Sequence, residues 1–166
     1  MAAVVLILER IISGGQTGAD QGGLLAGREL GMQTGGTAPK GWWTETGADE
    51  VILRSFGLVE CDEPGYDVRT RQNVLDADGT LLLGNHSTGG SALTMKIIQE
   101  LRRPIFHVPF PAPDANPERL VAEFREWLTR HEIRTLNVAG NRESQNPGLQ
   151  KYTKEFLISA IGPDRI

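Results

Sequence analysis

Short apolar runs alternate with helix-like segments along this chain, and that alternation leaves few folds open. Strand-like runs fall at 4–13, 56–60, 78–84, 105–108 and 135–138, and helix-like segments at 18–30, 66–77, 91–101, 117–130 and 149–160. Strands separated by helices of roughly 10–15 residues pair in parallel through right-handed crossovers. The run Leu81-Leu82-Leu83 is continuous rather than alternating, as expected of a strand covered on both faces. The 166 residues suit one domain spanning 1–166, of a size that buries roughly 70% of the surface its unfolded form exposes. The expected fold is therefore a single-domain, Rossmann-like α/β domain with a mostly parallel sheet. Residues 33–43, rich in Gly, Thr and Pro, read as an irregular functional loop. Gly22, Gly23 and Gly27 sit inside the first helix; each weakens it by about 1 kcal/mol relative to Ala, which points to close approach of a backbone or a ligand.

Two glycine-rich turns, Ser13-Gly14-Gly15-Gln16-Thr17-Gly18-Ala19-Asp20 and Ser87-Thr88-Gly89-Gly90-Ser91, each follow an apolar run and open a helix. Such a turn brings a ligand against the backbone, and the helix behind it offers unpaired N–H groups to an anion. The first turn has neither the G-x-G-x-x-G spacing of a dinucleotide site nor the Lys-Ser or Lys-Thr of a P-loop. The alternative for it is a tight strand-to-helix turn with an Asp at the helix start. In an open parallel sheet the ligand crevice lies beyond the carboxyl ends of the strands. The loops 13–20, 33–43, 84–91 and 137–144 are assigned there.

Further candidates follow from residue type and spacing. Lys40 stands beside Trp42 and Trp43, a cation and two indoles suited to a phosphate and a stacked ring, or to a core edge or oligomer interface. Tyr66, Arg69 and Asn73 fall at i, i+3 and i+7 and share one helix face, aimed at a site or at solvent. Asp76 and Asp78 read as caps before ribose ligands. His86 is a loop residue with an acid–base alternative, and His86, His107 and His131 lack ligand spacing for a metal. No Ser/His/Asp order amounts to a triad.

Composition narrows the partners. The formal charge of −4 argues against a nonspecific nucleic-acid footprint. Cys61 is the single cysteine, so no intrachain disulfide or structural zinc site is expected, and a reducing compartment fits. The apolar start lacks a cationic n-region, and no apolar run reaches the roughly 20 residues of a membrane span. The expectation is a cytoplasmic protein without membrane or nucleic-acid partners.

Taken together, Ile12 to Asp20, Pro39-Lys40-Gly41, Arg69-Thr70-Arg71-Gln72-Asn73-Val74, Thr88 to Thr94 and Leu136 to Ser144 resemble the molybdenum-cofactor carrier family. This is a YpsA-like branch of the SLOG Rossmann superfamily that also contains the lonely-guy phosphoribohydrolases. The resemblance covers most of the chain. It implies a three-layer α/β/α fold, a homo-oligomer, and a pocket for a nucleotide-derived or phosphorylated ligand, the molybdenum cofactor or a nucleotide. In the lonely-guy relatives a P-G-G-x-G-T-x-x-E segment carries a catalytic Glu. Register on Gly89 and Gly90 puts Lys96 at that position and Ala92-Leu93 at the preceding Gly-Thr. A lysine cannot stabilise an oxocarbenium-like centre as a carboxylate does.

The leading reading is thus a binding protein. Gly14, Gly15, Gly18, Gly89 and Gly90 allow backbone approach, Gln16 of the first turn is a further ligand-binding residue, Thr17, Thr88 and Ser91 contact phosphate, Lys40 and Arg69 supply countercharge, and Asp20 and Asn73 bind ribose or order the loops. The alternatives are a hydrolase of a nucleotide derivative, with Asp20 or Glu100 as acid or base, and a structural oligomer with a vestigial pocket and Trp42 and Trp43 at its interface.

Overall fold

The computed structural model describes residues 5–87, 89–112 and 116–162. In chain order the elements are β1 (Arg10–Ile12), α1 (Ala19–Glu29), β2 (Gln33–Ala38), β3 (Trp43–Thr44), β4 (Gly47–Ala48), α2 (Glu50–Ser55), β5 (Leu58–Glu60), α3 (Tyr66–Asp76), β6 (Gly79–Leu83), α4 (Gly89–Leu101), β7 (Ile105–Val108), α5 (Pro117–Arg130), β8 (Thr135–Gly140) and α6 (Leu149–Ile161). Six strands form one sheet in the order β5-β2-β1-β8-β6-β7, and every pairing in it is parallel. Helices lie on both faces, the three-layer α/β arrangement of a Rossmann-like domain. Among the described residues no helix is long and apolar enough to cross a membrane.

The last strand is the key to the topology. β8 inserts between β1 and β6 at the centre of the sheet. Counted from β8 and continued through β1, the strands stand in the order fourth, third, second, first, fifth, sixth. The winding therefore reverses between β8 and β6, and a crevice opens beyond the carboxyl ends of the strands at such a switch point.

Burial explains the elements. All five residues of β6 are buried, as the uninterrupted leucine run requires. Leu81 and Leu83 join the large core with Phe124, Trp127 and Leu128 of α5, whose i, i+3, i+4 spacing makes one apolar stripe. That helix starts where Asn116 accepts a hydrogen bond from the Arg119 backbone N–H at 3.0 Å, with Pro117 in its first turn. On the opposite face α3 and α4 meet through Val74, Ile97 and Ile98. The α1 glycines serve close packing against α6 and the sheet. A Cβ at Gly22 would stand 2.6 Å from the Gln150 carbonyl oxygen of α6, and one at Gly23 would stand 2.8 Å from Val138 of β8.

One expectation is corrected. Residues 33–38 are a strand, not an irregular loop. Weak strand formers are held there because β2 is paired on both sides, by β1 and β5. Gly36 has φ +126, and a Cβ on it would stand 2.1 Å from the Ser13 carbonyl oxygen. The remainder of the stretch leads into the short β3–β4 hairpin and α2, which sequence periodicity did not reveal because each is under two helical turns long.

Candidate functional site

A cavity of 350 Å³ lies at the switch point, walled by the turn after β1, the first two turns of α3 and α4, β8 and the turn after it. That volume is near the lower end of small-molecule sites, roughly 300–1,000 Å³. It suits one compact ligand.

The β1–α1 turn is closed by its own side chains. Ser13 Oγ donates to the Asp20 carbonyl at 3.0 Å, and Asp20 Oδ2 accepts from the Gln16 backbone N–H at 3.1 Å. Asp20 is 4% exposed and reaches Arg69 of α3 at 3.6 Å. Burial raises its pKa to about 6, against the opposing pull of the Arg69 charge and the N–H groups of Gln16 and Gly14. A Cβ at Gly14 would stand 1.7 Å from an Arg69 guanidinium nitrogen. Only glycine therefore leaves room for that guanidinium beside Asp20. Arg69 also lies over the Tyr66 ring at 5.4 Å, and its buried Nε has no hydrogen-bond partner.

Gln16 is oriented by its carbonyl oxygen, which accepts from the backbone N–H groups of Thr17 at 3.1 Å and Glu45 at 2.8 Å. Gln16 borders the cavity, and its amide nitrogen donates to no protein group among the described residues. Asn73 is engaged at both ends, accepting from Thr37 N–H at 2.8 Å and donating to Thr37 C=O at 3.0 Å. It orders β2 and borders the cavity. At the start of α4, Gly89 has φ +65, whereas a Cβ on Gly90 would meet nothing within 4 Å. The protein's own packing gives no reason for a glycine at 90. A ligand against that backbone would.

Of the residues singled out in the sequence, Gly14, Gln16, Asp20, Arg69, Asn73, Gly89, Gly90 and Ser91 border this one cavity, as does Tyr66. Thr88 lies outside the described residues. Others are engaged elsewhere. Gly15 packs against Leu53 and Leu58, and Gly18 against the backbone of Asn141 and Glu143. Thr17 donates its hydroxyl to Glu45 and accepts from the Glu143 N–H, so it does not reach the cavity. Lys40 is exposed and away from the wall. Trp42 is buried with Leu24 and Leu53 in a second core cluster, while Trp43 is 57% exposed. Glu100 is ion-paired with Arg71 at 2.9 Å on the outer side of α4, and Lys96 is exposed. Asp78 does not cap the next turn but accepts from the N–H groups of Arg134 and Thr135 at the start of β8. His86 and His107 meet edge to face at 4.4 Å, and His107 Nε2 lies 2.8 Å from the Gly84 carbonyl.

Among the wall residues to which sequence reasoning gave no individual role are Asn137 and Arg142. Both lie in a segment assigned to the carboxyl edge, and a cation in such a loop was the available signal. Arg142 makes no salt bridge among the described residues. The cavity wall thus holds two arginines, Arg69 and Arg142, and one carboxylate, Asp20, which is paired with Arg69, in an otherwise acidic chain.

The profile of the circularly permutated YpsA SLOG family matches residues 11–161. The chain belongs to that family. The permutation in the family's description agrees with β8 acting as the first strand of the winding. Among solved structures, a "Putative molybdenum carrier protein" from Syntrophus aciditrophicus SB, determined at 1.45 Å, is similar to this YpsA SLOG chain. The TM-score is 0.84 and the identity 32%, covering 94% of this chain and 96% of the other. No curated relative matches.

Proposed function

We propose that the protein binds a small anionic ligand, nucleotide-derived or phosphorylated, in the cavity at the switch point, in the manner of a molybdenum-cofactor carrier. The observation that carries this reading is the charge of the wall: two guanidiniums against one carboxylate in a chain whose formal charge is −4. The open backbone at Gly90 and the free amide of Gln16 add donors for phosphate oxygens. Among the described residues no group of three or more His, Cys, Asp or Glu comes together. A metal-bearing ligand would be recognised through its organic and phosphate parts.

Thermal shift and calorimetry with AMP, GMP, pyrophosphate and neopterin monophosphate test the reading, together with the mass of any copurifying ligand. Gly90→Asp is the decisive variant, because its side chain enters open space and an acid in a helix's first turn is favourable. It should keep its Tm and lose the ligand-induced shift. A wild type that neither shifts with any probe nor carries a ligand refutes the proposal.

One observation favours a second reading, hydrolysis of a nucleotide derivative. Asp20, with its pKa raised to about 6 and its position in the wall, has the properties of a general acid. Release of free base or sugar phosphate would support it, and a full nucleotide panel without turnover would dismiss it.

A further inference from the structure

The β3–β4 hairpin is tied to two loops of the cavity wall without itself bordering the cavity. At its tip, Glu45 gives its backbone N–H to Gln16 at 2.8 Å. Its carboxylate accepts from the Thr17 hydroxyl, from the Ser144 hydroxyl, and from the Ser144 N–H at 3.1 Å. Thr17 in turn accepts from the Glu143 N–H at 3.2 Å, and the Glu143 carboxylate caps the next turn through the N–H groups of Gly148 and Gln150, each at 2.9 Å. Glu45 is a carboxylate in ordinary conditions. Its partial burial acts to raise the pKa, but the Ser144 and Thr17 hydrogen bonds and the Arg142 charge outweigh it and hold the group below its usual value.

Three separate segments meet at this one side chain: the turn after β1, the hairpin, and the turn after β8. Thr17, Glu45 and Ser144 stand outside the cavity, whereas Gln16 and Arg142, one and two residues from them, border it. Neither Gln16 nor Arg142 is fixed by a partner across the cavity. The Gln16 side chain is held from behind, through its carbonyl oxygen, while its backbone is tied to Asp20 and Gln21.

We infer that Glu45 is a positioning residue, the catch of a clasp by which the β3–β4 hairpin holds Gln16 and Arg142 in place for the ligand. The inference rests on the binding reading above. Its chemical content is that charge-assisted hydrogen bonds converging on one carboxylate immobilise two loops that share no regular pairing. Ligand donors are thereby ordered before binding, which lowers the entropy lost on association.

The test uses the full chain as wild type, Glu45→Ala and Glu45→Gln. Glutamine keeps a carbonyl that accepts from Thr17 and from the Ser144 N–H but loses the charge and the second acceptor oxygen, so it should fall between wild type and Glu45→Ala in both readouts. In Glu45→Ala, amide hydrogen exchange should rise at least tenfold at 16–18 and 142–148, with β1, β6 and β8 unchanged. Calorimetry and stopped-flow with AMP, GMP, pyrophosphate and neopterin monophosphate should show about a tenfold weaker Kd for any probe the wild type binds, chiefly through faster dissociation. Unchanged exchange at 142–148, or raised exchange with an unchanged Kd, overturns the inference alone. A wild type that binds none of the four probes removes the binding reading and this inference with it, so the two failures are distinct.

Discussion

Replacing Asp20 by Asn should change how stability depends on pH, and the structure fixes both sign and size. The carboxyl is buried in the β1–α1 turn, and its pKa rises from 3.8 to about 6 on folding. Below the unfolded value both states are protonated, and the group is neutral in each. Between the two values the unfolded chain has lost the proton while the folded one keeps it, so stability falls as pH rises through this window. Above pH 6 the full loss remains, about 3 kcal/mol, because each tenfold difference in proton affinity between the two states corresponds to about 1.36 kcal/mol. Asn is isosteric, and its carbonyl can still accept from the Gln16 N–H, but it has nothing to titrate. Urea unfolding of both proteins at pH 4, 5, 6 and 7, followed by circular dichroism, reads the difference. Relative to wild type, Asp20→Asn should gain about 2–3 kcal/mol between pH 4 and pH 7. Parallel stability curves would refute the reasoning, since they would mean that Asp20 is solvated or compensated in the folded state.

Two further outcomes follow from the same cavity. Gly14→Ala should expel the Arg69 guanidinium, because the new Cβ would overlap it at 1.7 Å; without that neighbouring charge the Asp20 pKa should climb above 6, observable by carboxyl carbon NMR titration, and a pKa unchanged or lowered would contradict the geometry. Arg142→Ala should weaken binding of a phosphorylated probe by roughly 10–100-fold, the size of a charge-assisted hydrogen bond, whereas Lys40→Ala should leave calorimetric affinity unchanged; the reverse pattern would move the countercharge away from β8.

Much of the fold was legible because burial writes a pattern. The leucine run of β6, the Asn-Pro start of α5 and the 3.6-residue stripe on that helix each encode their state locally. β2 was not legible. Its Gln-Thr-Gly-Gly-Thr-Ala composition is that of a turn, and it becomes a strand because β1 and β5 pair with it and Asn73 binds both polar atoms of the Thr37 backbone. The site divides in the same way. The shared helix face of Tyr66, Arg69 and Asn73 could be read from spacing, and all three border the cavity. Thr17 and Lys40 have the chemistry of phosphate ligands, yet one is held by Glu45 and the other is exposed outside the cavity wall, which no spacing rule reports.

The sequence by itself determined the alternation of strands and helices, the family, and the two glycine turns, because these depend on residues near one another in the chain. Only the tertiary structure decided which polar residues meet. The reason is that β8, last in the chain, pairs with β1, first in it, bringing Arg142 to the wall that Gly14, Asp20 and Arg69 share and Ser144 to Glu45 across 99 positions. Such contacts arise from the order of strands in the sheet.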